Sequence, residues 1–107
     1  MVDQKETNHA YTPFSFTITV VSGTGSVSFP DKSILNNEFT RIATITPAGT
    51  GTYDMELTDS DSFGCWGQGG NRGDTTLLIN EDFHGRCTFH IQNSTVDGDF
   101  KVRIWYR

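Results

Sequence analysis

Apolar side chains recur at every second position of this chain, stretch after stretch, and that period admits little besides β-structure. The closing segment, "RCTFHIQNSTVDGDFKVRIWYR", puts Cys87, Phe89 and Ile91, then Phe100, Val102, Ile104 and Tyr106, on one parity. Arg86, Thr88, His90, Lys101, Arg103, Trp105 and Arg107 take the other. Successive side chains of a strand point to opposite faces, so each run predicts one buried face and one wet face. "TPFSFTITVV" repeats the pattern, with Phe14, Phe16, Ile18 and Val20 against Ser15, Thr17 and Thr19. "TYDMELT" repeats it again, with Tyr53, Met55 and Leu57 inward and Asp54 and Glu56 outward. In "EFTRIATITP" the apolar Phe39, Ile42 and Ile45 do not share a parity, which predicts a strand with a bulge near Arg41.

Between these runs, "VSFP" reads as a short strand stopped by Pro30, "DKSILNN" as a loop, "TTLLI" as a strand and "NEDFHG" as a turn. "DSDSFGCWGQGGNRGD" reads as a long glycine-rich connection with room for a strand around Phe63 to Trp66. No segment carries apolar residues at helical spacing over a helical length. Seven or eight short antiparallel strands must form two packed sheets or a closed barrel to hide their inner faces. The expected fold is therefore all-β, an antiparallel β-sandwich of jelly-roll or immunoglobulin-like type. The spacing from Cys65 to Cys87 is too short for the immunoglobulin bridge. A chain of 107 residues suits one domain, expected over 12–107, behind a polar, aperiodic arm over 1–11. At this size folding buries roughly 65% of the unfolded surface, enough without obligatory staples.

Charge narrows the partners. The net charge of −5 opposes binding to nucleic acid and to anionic membranes, and neither is expected as a partner. The balance is uneven: from His84 onward there are four basic residues and two acids, so the rest carries −7. Asp97 and Asp99 fall in an expected turn, leaving the last strands purely basic. The opening "MVDQKETNHAYTPFSF" lacks the pattern of a secretory signal, and no apolar run approaches the ~18 residues of a membrane span. Synthesis in a cytosol favours free thiols at Cys65 and Cys87, although one intramolecular bridge stays open.

Catalytic patterns are missing. A hydrolase needs nucleophile, base and orienting group in mutual reach, and His9, His84 and His90 are poorly placed for it. No nucleophile elbow, phosphate loop or dinucleotide fingerprint occurs. His84, Cys87 and His90 suggest zinc only on paper, because positions three apart on a strand face opposite sides. Asp59, Asp61, Glu81 and Asp82 lack a calcium-loop pattern and read as solvated acids. Asp54 and Glu56 resemble a glycosidase pair only in spacing. "RGD" at Arg72, Gly73 and Asp74 is a common tripeptide, and "NST" at Asn93 reads as a turn. No enzyme activity, cofactor or metal is expected.

Pairing the last two runs as a hairpin, with Ile91 opposite Phe100 and Cys87 opposite Ile104, keeps all apolar residues on one face. The other face then sets His90 beside Lys101, Thr88 beside Arg103 and Arg86 beside Trp105. Two readings remain: arginines laid over the indole as decoration, or an indole anchoring an interface. Trp105, Arg103, Lys101, Arg86 and the loop residue Trp66 are the candidate partner-binding residues.

The later two-thirds, "FTRIATITPAGTGTYDMELTDSD" through "FHGRCTFHIQNSTVDGDFKVRIWY", resembles the small β-sandwich accessory proteins of tailed bacteriophages. The resemblance implies a non-enzymatic virion decoration (capsid-cementing) or tail accessory module, with a viral shell or tail protein as partner. It also implies a homo-oligomer, a trimer being one form, located on the virion after synthesis in the host cytoplasm. The alternative is a carbohydrate-binding or adhesion module, stacking a glycan on Trp66, Trp105 and Tyr106.

Overall fold

A computed structural model describes residues 13–59 and 61–106, so the segment 1–11 expected as an arm lies outside the described residues. Six strands follow in order: β1 Pro13–Val20, β2 Gly25–Ile45, β3 Thr52–Thr58, β4 Gly64–Arg72, β5 Thr75–Gln92 and β6 Gly98–Tyr106. Every pairing is antiparallel, in the order β1-β6-β2-β5-β3-β4. Among the described residues there is no helix, and so none long and apolar enough to cross a membrane.

The long β2 and β5 stay paired from Gly25↔Ile91 to Thr44↔Thr75, and they carry the ladder from one layer to the other. One layer holds β1, β6, the second half of β2 and the first half of β5. The other holds the first half of β2, the second half of β5, β3 and β4. Counting the halves separately gives eight strands in two four-stranded sheets. This is the jelly-roll alternative of the expected sandwich.

Three local expectations are corrected. "DKSILNN" is not a loop and "NEDFHG" is not a turn, because both lie within β2 and β5. Pro30 does not end a strand. It falls between the pairs Phe29↔Cys87 and Ile34↔Gly85, where the register shifts and a residue without an N–H costs no ladder bond. Third, the last two runs are not a hairpin. Ile91 pairs with Gly25 and Met55, whereas Phe100 pairs with Ile18, and the two runs face each other across the core. Alternation specifies a face but leaves the neighbouring strand open. The bulge is where parity places it, between Phe39 and Arg41. The glycine-rich connection contains a full edge strand, β4, longer than the short one expected around 63–66.

The core follows the alternation. Ile18, Phe39, Ile42, Leu57, Phe89, Ile91, Phe100 and Ile104 are fully buried. Tyr53 meets Phe100 edge-on across the layers, with ring centroids 5.2 Å apart. Its hydroxyl leaves the core at the rim, donating to the Gly73 carbonyl at 2.7 Å. Among the described residues no buried side-chain polar atom lacks a partner.

Both cysteines are free thiols, Cys87 buried and Cys65 half-buried, so the single bridge is not formed. Burial pushes the Cys87 thiol up to about 12, and the negative charge of Cys65 and Asp59 adds to it. Unfolding restores an ordinary thiol, which ionises from about pH 8.5. Between that pH and about 12 the unfolded chain therefore holds fewer protons than the folded one, and stability falls as pH rises. Urea midpoints should drop across this window, and the drop should shrink in Cys87→Ala. An unchanged slope in that variant would remove Cys87 as its source.

Candidate binding face

The outer surface of the β1–β6–β2–β5 layer is built by parity. Val102 and Ile104 of β6 point into the core, so Lys101, Arg103 and Trp105 point out. Register completes the face. Trp105 sits between Pro13 of β1 and Arg41 of β2, Arg103 between Ser15 and Ala43, and Lys101 between Thr17 and Ile45. Beyond Arg41 comes Leu78 of β5. The bulge resets parity along β2, which brings Arg41 out beside Trp105.

Arg41 lies over the Trp105 ring, its guanidinium carbon 5.1 Å from the centroid, and Arg103 approaches the same ring at 6.0 Å. Arg103 Nε also donates to Ser15 Oγ at 3.1 Å. Guanidinium groups placed over an indole are held in place while their remaining N–H groups stay available. Below Trp105 an open groove of about 330 Å³ has Ala43 and Ile45 on one side and Ser15 and Thr17 on the other. Among the described residues Arg41, Lys101 and Arg103 form no ion pair. Asp99, where β6 begins, is taken by Thr19 Oγ1 at 2.9 Å.

Two large apolar side chains complete the surface. Leu78 is 82% exposed and Ile45 52% exposed, although apolar residues of β-strands ordinarily go inside. Along the end of β2 and just beyond it, the inward places after Ile42 go to Thr44 and Thr46, 1% and 3% exposed, and Thr44 Oγ1 meets the Met55 sulfur at 3.3 Å. Ile45, counted among the apolar positions of its strand by sequence, is turned outward.

Of the five candidates read from sequence, Lys101, Arg103 and Trp105 come together. Arg86 is exposed on the other layer, next to Cys87 where β5 pairs with the first half of β2. It is not beside Trp105, because the expected hairpin does not form. Trp66 lies on β4 opposite Leu57 and packs half-buried against the core. Sequence reading missed Arg41, Ile45 and Leu78. For Arg41 the signal was present, since the parity break that predicts the bulge also turns this residue outward.

The remaining motifs are absorbed by structure. Asp74 of the "RGD" triplet accepts from the Thr46 N–H at 2.9 Å, and the Gly73 N–H donates to Gly51 at 2.8 Å. Asp59 Oδ1 accepts from the N–H groups of Asp61 and Phe63, each at 2.9 Å, and shapes its own loop. His90 faces outward and bonds Thr58 at 3.0 Å, while Cys87 faces inward. No group of three metal-ligating side chains occurs among the described residues. On the opposite outer face, Asp54 accepts from Asn93 at 2.8 Å and from the Gly70 N–H at 2.9 Å. Those two bonds hold its carboxyl below the usual range.

No protein-family model matches this chain, and no curated protein sequence is similar to it. Solved structures do share its fold. A carbohydrate-binding module from Cellvibrio mixtus lichenase 5A, in complex with cellotriose, is 9% identical with a TM-score of 0.52. That match covers 92% of this chain and 86% of the module. The Drosophila NLP core, described for pentamer formation and histone binding, is 16% identical over 90% of this chain and 96% of its own, with a TM-score of 0.49. The C-terminal domain of A223, a structural protein from sulfolobus turreted icosahedral virus, is 14% identical over 91% and 96%, with a TM-score of 0.42. At 9% identity the likeness to the carbohydrate-binding module is one of fold alone.

Proposed function

We propose that this chain is a non-enzymatic structural module, a virion decoration or tail accessory protein. It docks on a shell or tail protein through the outer face of the β1–β6–β2–β5 layer. One observation carries the reading: Trp105 with Arg41 and Arg103 at its ring, beside the exposed Leu78 and Ile45. Trp and Arg dominate the energetics of protein interfaces, and an apolar centre rimmed by charge is the usual anatomy. The stacked arginines start close to one geometry and so lose less freedom on docking. With its cations in no ion pair among the described residues, the face suits a partner surface bearing carboxylates.

The sugar-binding alternative fits these residues less well. Trp66 packs against the core, and guanidinium groups already lie at the Trp105 ring.

The test is retention on particles. Particles purified on a gradient from cells encoding the chain should carry the wild-type protein. Trp105→Ala should bind at least about 30-fold more weakly, the loss of about 2 kcal/mol expected of an interface anchor. Arg103→Glu should be lost as well. Absence of the wild-type chain from particles, or full retention of both variants, would reject the reading.

A further inference from the structure

The docking partner on this face has a chemical requirement, and the chain itself presents a surface that meets it. Lys101 and Arg103 stand two residues apart on the exposed side of β6, an inner strand of its layer. Two residues of strand span roughly 6.6–6.8 Å, so these cations form a ladder of that step. Asp54 and Glu56 stand at the same step on the outer side of β3, between Tyr53, Met55 and Leu57, which point into the core. β3 is likewise an inner strand, flanked by β5 and β4, but of the opposite layer. A basic ladder and an acidic ladder of equal pitch thus lie on opposite faces of one sandwich.

The surroundings of the two ladders also complement each other. The basic face is raised by the exposed Leu78 and Ile45. The acidic face is low: Glu56 pairs with Gly67 on one side and with His90 on the other, and His90 pairs in turn with Ser26. The hydroxyls on this face already have partners, Ser28 with the Thr88 hydroxyl at 2.9 Å and Thr58 with His90 Nε2 at 3.0 Å. Sheets pack face to face about 10 Å apart with strands nearly aligned, a spacing that Lys and Arg side chains can span.

We infer that copies of this chain stack head to tail, the Lys101–Arg103 ladder of one copy meeting the Asp54–Glu56 ladder of the next. The inference rests on the docking-face reading and names a second copy as the occupant of that face, the shell or tail protein taking the basic face left free at the end of a stack. Such a contact is heterologous: each copy uses two different surfaces. It grows into a ring if the rotation closes and into a filament if it does not. Opposite charge at short range overrides the mutual repulsion of chains with net charge −5 only while the ladders are in contact, so added salt weakens the stack.

Light scattering after size exclusion, on the full chain, tests this. At about 0.01 M salt, where screening reaches only about 30 Å, mass should rise with concentration beyond the monomer. At about 1 M salt, with screening at about 3 Å, it should return to the monomer. Lys101→Glu with Arg103→Glu should be monomeric at low salt, and so should Asp54→Asn with Glu56→Lys. Asparagine at 54 keeps an acceptor for the Gly70 N–H, and circular dichroism checks the fold of both variants. Mixed in equal amounts, the two variants should form a one-to-one dimer, because each retains one intact face. A wild-type chain monomeric at every concentration, association indifferent to salt, or a mixture that stays monomeric overturns the inference. If the chain is monomeric yet Arg103→Glu is still lost from particles, the docking face stands and only self-stacking falls.

Discussion

Phe100→Ala is expected to remove about 3–5 kcal/mol of folding stability, the range for truncating a buried aromatic. Phe100 is fully buried, pairs in register with Ile18, and meets the Tyr53 ring at 78° across the two layers. Its β1 neighbour Ile18 is held by unbroken pairing with β6, and Tyr53 stands on an inner strand of the facing layer. The cavity should therefore persist. Against a total of about 5–15 kcal/mol, this loss is a large share of the margin. At roughly 4–8 °C per kcal/mol for a domain near this size, the melting temperature should fall by more than about 12 °C. Urea unfolding followed by tryptophan emission measures the same loss. Lys101→Ala, one position along, should shift stability by less than about 0.5 kcal/mol, since that side chain points to solvent. Comparable losses at 100 and 101 would contradict the two-face strand on which the fold depends.

Gly25→Val should cost about 3 kcal/mol, the upper end for overpacking a tight site. A β-carbon at Gly25 would lie 2.6 Å from the Thr19 carbonyl oxygen and 2.8 Å from Ile18 Cγ2. The oxygen is backbone, and β1 is pinned to β6 in unbroken register from Pro13↔Trp105 to Val20↔Gly98. Relief requires the start of β2 to move away from β1, at the corner where the chain passes from one layer to the other. Gly49→Ala separates this effect from backbone conformation. Gly49 has φ of 72° with nothing within 4 Å of its missing β-carbon, so only the left-handed penalty of about 1–2 kcal/mol applies. Chemical denaturation of both variants decides. An equal cost at the two positions would mean that crowding at Gly25 is relieved without moving β1.

The jelly roll was legible in the runs from Phe14 to Val20, Tyr53 to Leu57 and Phe100 to Tyr106, because each alternates without a break and each is a strand. The bend regions of β2 and β5 were not legible. Pro30 and Gly85 are ordinary stop signals, yet pairing resumes beyond them, at Ile34↔Gly85 and Asn37↔Phe83, after shifts of register. The candidate site divides in the same way. Lys101, Arg103 and Trp105 share one strand, so period two alone places them on one face. Arg86 was assigned to that face through a pairing that long-range contacts replace, and Arg41 joins it only through the β2–β6 register.

By itself the sequence determined which side chains turn inward along each strand, since that choice rests on the transfer of apolar surface from water and is local to the run. Only the tertiary structure decided which strands lie side by side. Register energies between strands with similar inner faces are nearly interchangeable, and closing two layers around one core selects among them. That selection puts β6 between β1 and β2, and so brings the guanidinium groups of Arg41 and Arg103 to the same Trp105 ring.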